Sequence, residues 1–205
     1  MLSYFDTHFH RNVMIIYPGE FYATDKDELI STVLGSCVSI ALYDETAGVG
    51  GMNHFMLSKD NRILYESEAH KGKYGEYALD LLIADMLKKG SQRENLKAKV
   101  FGGSNVFNVS LREGAKIGDV NAKFAFEVLE KAGIPVTVSD TGGPEPRKIY
   151  FDPKTAKTYL KRIKGSMQVA DEEMKCLLDM EKSLELSGSR RSRETKTSST
   201  ARPEA

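Results

Sequence analysis

Two helix-length amphipathic segments, each stopped by glycine and set among short β-branched runs, leave this chain few possible folds. Residues 74–89, YGEYALDLLIADMLKK, repeat Tyr74, Tyr77, Ala78, Leu81, Leu82 and Met86 at the helical period and end before Gly90. Residues 117–131 repeat Ile117, Val120, Phe124, Val128 and Leu129 before Gly133. Strand-length runs lie around them at 29–34, 38–43, 49–57, 97–101, 134–139, 147–151 and 157–163, and 13–24 reads as extended chain on both sides of Pro18-Gly19. Strand runs alternating with two helices predict an α/β fold: a single compact domain, with a mixed β-sheet layered against two main helices.

That domain is expected over residues 1–165. Residues 166–186 form an amphipathic C-terminal helix, with Ala170, Met174, Leu177 and Leu184 near one face and Cys176 inside it. Residues 187–205, SGSRRSRETKTSSTARPEA, lack the apolar side chains that offset ordering entropy and are expected to be a disordered tail. The polar stretch 58–73 is long enough for a lid or binding loop.

Charge then excludes whole classes of function. Lys plus Arg is 29 and Asp plus Glu is 29, and a zero net charge argues against a dedicated nucleic-acid binder. No apolar run approaches a membrane span, and the N-terminal residues do not read as a signal peptide, so a cytoplasmic protein without membrane insertion is expected. The 2 cysteines, Cys37 and Cys176, then read as two thiols. Thr7-His8-Phe9-His10 has no further Cys/His cluster to complete a metal site, and no metal or cofactor is expected.

Chemistry concentrates in LGSCVSIALYD, residues 34–44, and GVGGMNHFML, residues 48–57. A thiol is a nucleophile only as thiolate and needs a base near it. The two stretches read as a β-hairpin around Glu45-Thr46-Ala47-Gly48. In that register Asp44 faces Val49, Ser39 faces His54, and Cys37 lies diagonally from His54 on the same face. A one-residue slip would put His54 on the opposite face. A small core cysteine and a structural histidine fit the same spacing, so periodicity permits a Cys37–His54 dyad without requiring it.

Leu34-Gly35-Ser36-Cys37-Val38 followed by Gly51-Met52-Asn53-His54-Phe55-Met56-Leu57 resembles the CheD family of chemoreceptor glutamine deamidases. Lys73-Tyr74-Gly75, Phe101-Gly102-Gly103-Ser104-Asn105-Val106-Phe107, Ile117-Gly118 with Asn121, and Asp140-Thr141-Gly142-Gly143 with Arg147 continue that resemblance in order. It implies a compact α/β deamidase fold and cysteine-dependent hydrolysis of glutamine amides on methyl-accepting chemotaxis receptors. That hydrolysis gives glutamates and ammonia through a thioester. It implies Cys37 as nucleophile and His54 as base. The family's hydroxyl, six positions before the cysteine, falls on Ser31; Thr32 follows and points to the opposite strand face. Ser31 is taken as the third catalytic group.

Ser36, Asn53, Ser104 and Asn105 are the candidates to contact substrate, and backbone N–H groups near Ser36 and Cys37 the candidates to hold an oxyanion. Implied partners are chemoreceptors and a CheC-type phosphatase. A helical receptor substrate calls for an open, shallow cleft. Two other readings remain at this level: a non-catalytic module docking on that phosphatase or a receptor, and another thiol-dependent amidase. The C-terminal helix and tail inherit nothing from the resemblance.

Overall fold

The computed structural model describes residues 1–55, 74–105 and 116–164. The expected polar loop at 58–73, the C-terminal helix and the tail lie outside the described residues.

The α/β layering and both helices are present, but the strands divide between two sheets rather than one. The first sheet contains β1 (Leu2–Asp6), β2 (Arg11–Ile15), β4 (Glu28–Leu34), β9 (Arg147–Phe151) and β10 (Thr158–Arg162), in the order β1-β2-β4-β9-β10. The second contains β3 (Phe21–Thr24), β5 (Val38–Asp44), β6 (Val49–Asn53), β7 (Lys97–Gly102) and β8 (Val136–Thr141), in the order β3-β6-β5-β7-β8. Both are mixed: β2 runs parallel to β4 and β7 parallel to β8, and the other pairs are antiparallel. Helix α1 (Tyr74–Lys88) packs on β3 and β6, and α2 (Ile117–Ala132) on β7, β5 and β8. The layers are therefore helices, second sheet, first sheet.

Strand β5 shows why. All seven of its residues are buried. Val38, Ile40 and Leu42 join the cluster under the helices with Leu82, Met86, Ala125 and Leu129. Ala41 and Tyr43 join the cluster between the sheets with Ile30, Leu34, Ile149 and Phe151. A strand buried on both faces needs a layer on each, and reads in sequence as a continuous apolar run. The outer face of the first sheet has no described helix on it. Phe9, from the β1–β2 turn, packs there on Tyr150 and Tyr159 at ring-centre distances of 5.1 Å and 5.0 Å.

Some element ends differ from expectation for local reasons. Gly133 adopts φ 70° after α2 and Ile134 donates back to the Leu129 carbonyl, so Ile134 closes the helix and β8 starts at Val136. The hairpin register is the expected one, with Asp44 opposite Val49 and Ala41 opposite Met52. Strand β6 stops at Asn53 because the His54 N–H turns to the Glu20 carbonyl at 2.9 Å, and pairing with β5 resumes at Val38 and Phe55. The N-terminal strand β1 was not anticipated; Leu2-Ser3-Tyr4-Phe5-Asp6 carries no clear alternation and takes its register from β2.

Candidate active site

The chain crosses from the first sheet to the second at Gly35-Ser36-Cys37, between the end of β4 and the start of β5. This turn is held by three successive carbonyls. Gly35 O accepts from the Ser104 N–H at 2.7 Å, Ser36 O from Asn121 Nδ2 at 2.8 Å, and Cys37 O from the Gly103 N–H at 2.7 Å. The donors come from the loop after β7 and from α2. Gly102 makes this approach possible. Its φ is 110°, and a Cβ there would lie 2.2 Å from the Cys37 carbonyl oxygen.

Cys37 is a reduced, buried thiol that packs in the cluster between the sheets with Leu34, Met52, Phe101 and Ile117. His54 shares that side. Its neighbour Phe55 and the facing Val38 both point to the helices, which turns His54 and Cys37 toward the first sheet. Residues so placed on adjacent antiparallel strands have Cα atoms about 7–8 Å apart, within side-chain reach.

The imidazole reaches across to the first sheet, where Nδ1 lies 2.8 Å from Thr32 Oγ1. The Thr32 hydroxyl donates to the Ile16 carbonyl at 2.7 Å. A hydroxyl has one proton; with that proton on Ile16, Thr32 accepts from His54, so Nδ1 carries the ring proton and Nε2 the lone pair. Nε2 is buried with no hydrogen-bond partner among the described residues. Burial drives the His54 pKa down from 6.5 to about 3, so the ring is neutral at pH 7.

Ser31 is not at the imidazole. Its hydroxyl faces the other side of β4 and donates to the Ile149 carbonyl at 2.8 Å. Strand alternation permits one of the pair to face the second sheet, and that residue is Thr32, so the hydroxyl at the imidazole is that of Thr32 and not the expected Ser31. The other expected contact residues are hydrogen-bonded within the fold. Asn53 Oδ1 accepts from the Ile40 N–H at 2.9 Å. The Ser104 hydroxyl donates to the Glu145 carbonyl at 2.7 Å and accepts from Arg147 at 2.9 Å. Asn105 Nδ2 donates to Asp119 at 2.9 Å. Ser36 is buried and its carbonyl is taken by Asn121.

Two residues carry more of this site than the motifs suggested. Arg147 is 0% exposed, and its guanidinium ties together Ser104, Asp140 and the Gly142 carbonyl. Asn121 sits on the buried side of α2 with Ile117, Ala125 and Val128. An amide on an apolar stripe was the readable signal, since a buried polar group must find partners. Among the described residues no open cleft of the kind expected for a helical substrate exposes the pair: Cys37 is 0% and His54 2% exposed. Among the described residues no group of three or more His, Cys, Asp or Glu side chains could hold a metal, and no helix is long and apolar enough to cross a membrane.

Comparison with known proteins places the chain. Residues 56–162 match the family model described as CheD chemotactic sensory transduction. The chain is 44% identical over 161 residues to the probable chemoreceptor glutamine deamidase CheD of Herminiimonas arsenicoxydans, covering 78% of each. It is 43% identical over 161 residues to the probable chemoreceptor glutamine deamidase CheD 1 of Shewanella oneidensis, covering 78% of this chain and 77% of that one. Among solved structures, the hypothetical protein YfiH of Bacillus licheniformis overlays with a TM-score of 0.38 at 15% identity, over 60% of this chain and 51% of that one, too shallow a match to bear on function. A crossover turn carrying a buried thiol, and a neutral imidazole on the same side of the second sheet, define a thiol-bearing α/β protein. The chain belongs to the CheD family.

Proposed function

We propose that this protein is a chemoreceptor glutamine deamidase in which Cys37 is the nucleophile, His54 the general base and Thr32 the group that orients the base. The observation that carries this reading is the Ile16–Thr32–His54 chain of hydrogen bonds, which puts the proton on Nδ1 and leaves the Nε2 lone pair to accept one. The names of the relatives supply the substrate class.

The reaction runs through two displacements. Nε2 takes the thiol proton, and the thiolate attacks the glutamine Cδ. The imidazolium returns that proton to the departing nitrogen, which leaves as ammonia, and a thioester remains. Nε2 then deprotonates a water that attacks the thioester, and glutamate and the thiol are released. The three carbonyls of the turn point at α2 and the β7 loop. Across trans peptides the Ser36 and Cys37 N–H groups therefore point the opposite way. The first residue of α2, Ile117, packs in the same cluster as Cys37.

Nε2 and the thiol are not hydrogen-bonded in this state, so both must close up for proton transfer, as catalytic pairs commonly do on binding substrate. Burial of Cys37 also requires the side chains around the turn to part before a protein amide can enter. That same burial favours a second reading, a non-catalytic module that docks on a CheC-type phosphatase or a receptor. Incubation with receptor cytoplasmic fragments separates them. Deamidation releases ammonia and adds about one mass unit at a defined glutamine, the difference between an amide NH₂ and an acid OH. The enzyme reading expects both signals from wild type and neither from Cys37→Ala; identical silence from the two would leave the docking module.

A further inference from the structure

We propose that Asn121 is a positioning residue for the Cys37 turn, holding the Ser36 peptide in place through its side-chain amide; this rests on the thiol chemistry set out above. Asn121 is fully buried, and its Nδ2 donates to the Ser36 carbonyl at 2.8 Å. The bonds to Gly35 O and Cys37 O are backbone bonds from Ser104 and Gly103, in a loop whose close approach depends on Gly102. The middle carbonyl is different: its bond comes from a side chain, Asn121 Nδ2.

Helix α2 is seated to deliver that side chain. A Cβ at Gly118 would lie 2.4 Å from the Gly103 carbonyl oxygen and 2.6 Å from that of Ser104, so the first turn of α2 rests directly on the loop that holds the rest of the turn. Ile117 is packed in the cluster that contains Cys37. One rigid unit, α2 with the β7 loop, therefore fixes all three peptides around the nucleophile. With the Ser36 carbonyl fixed, the direction of the Cys37 N–H and the starting point of the Cys37 side chain are fixed with it.

The test removes the donor while keeping the shape. Asn121→Asp is nearly isosteric and, ionised, has no proton to give. Asn121→Ala removes the side chain without burying a charge. Two readouts apply to the full-length protein. The first is the pH profile of Cys37 alkylation by iodoacetamide, followed on the Cys37 peptide by mass spectrometry because the chain has a second cysteine, Cys176. The second is kcat and KM for deamidation of a receptor fragment.

The expected result is a Cys37 alkylation profile displaced from wild type in both variants, with kcat lowered about 100-fold and KM within about twofold, as for a displaced reacting group. An unchanged profile and kcat in either folded variant overturns the proposal. So does wild-type behaviour in Asn121→Asp alone, which would make the role one of packing. Loss of the folded state in both variants, read by circular dichroism, overturns it as well and makes Asn121 a purely structural residue. If wild type deamidates no receptor fragment, the deamidase reading fails, while the alkylation profiles still decide the role of Asn121.

Discussion

Thr32 and Ser31 are adjacent hydroxyls with opposite duties. Thr32→Val keeps the β-branched shape but removes the acceptor for Nδ1–H, freeing the ring to take either tautomer; deamidation should fall about 10- to 100-fold, the size of effect seen when a partner that orients a histidine is removed. Ser31→Ala loses only the bond to Ile149 and should cost about 1 kcal/mol of stability, read from a urea midpoint, with turnover unchanged. A Ser31 variant as inactive as the Thr32 variant would contradict the geometry. Alternation along β4 showed that the two hydroxyls part company. Which of them meets His54 depended on how a second sheet lies across the first, and that packing has no local signature in the residues. Cys37 and His54 were easier, because a short hairpin loop sets register locally and Asp44 and Val49 define it.

The turn before β5 and the loop after β7 form one element in all but sequence. Gly102→Ala would force a Cβ into the Cys37 carbonyl at a φ that favours glycine, so the strands must separate; a loss of about 2–3 kcal/mol is expected, with Cys37 alkylation altered in whatever remains folded. Arg147 does similar work for the loop between β8 and β9. Its charge is fully buried and answered by Asp140, which is also shared with Arg162 at 2.8 Å. Asp140→Asn strands that charge and should cost about 3 kcal/mol, toward the lower end for a broken buried pair because Asp140 is partly exposed and screened. A midpoint unchanged from wild type would show that the loop carbonyls suffice. Element existence was readable throughout this region, since Ile117–Leu129 and Lys97–Phe101 have clear periods. Burial of Arg147 was not, because a charged residue beside Gly142-Gly143 reads as a surface group until β9 is placed in the middle of a sheet.

At the scale of the molecule, acid should be felt early. His54 is neutral when folded, with a pKa of about 3 against 6.5 when unfolded, so the unfolded chain binds more protons between those values. Stability from this group is complete above pH 6.5 and falls with decreasing pH, by about 1.4 kcal/mol per unit, or about 2 kcal/mol by pH 5. Asp44 and Asp152, whose carboxyls are held below their usual range chiefly by hydrogen bonds against the pull of burial, add losses of the same sign only in stronger acid. Urea midpoints from pH 7.5 to 5 should therefore fall in wild type and stay nearly flat in His54→Gln; parallel curves would mean that the ring is not buried in solution. The layer order was only partly legible. The apolar run Val38–Tyr43, broken only by Ser39, implied cover on both sides, but the strands that supply the far cover, β1, β2, β4, β9 and β10, are scattered from Leu2 to Arg162.

The thiol stands where the backbone leaves one sheet for the other, and Thr32, the hydroxyl at the His54 ring, stands on the sheet it has left. Neither half of the molecule owns a working centre. During synthesis or refolding, a chain whose strands have formed but whose two halves have not yet closed together would carry a cysteine, a histidine and a threonine with no chemistry between them. Amide cleavage should therefore return later than far-ultraviolet dichroism when denatured protein is diluted into buffer, and a half-made chain is spared from attacking its neighbours.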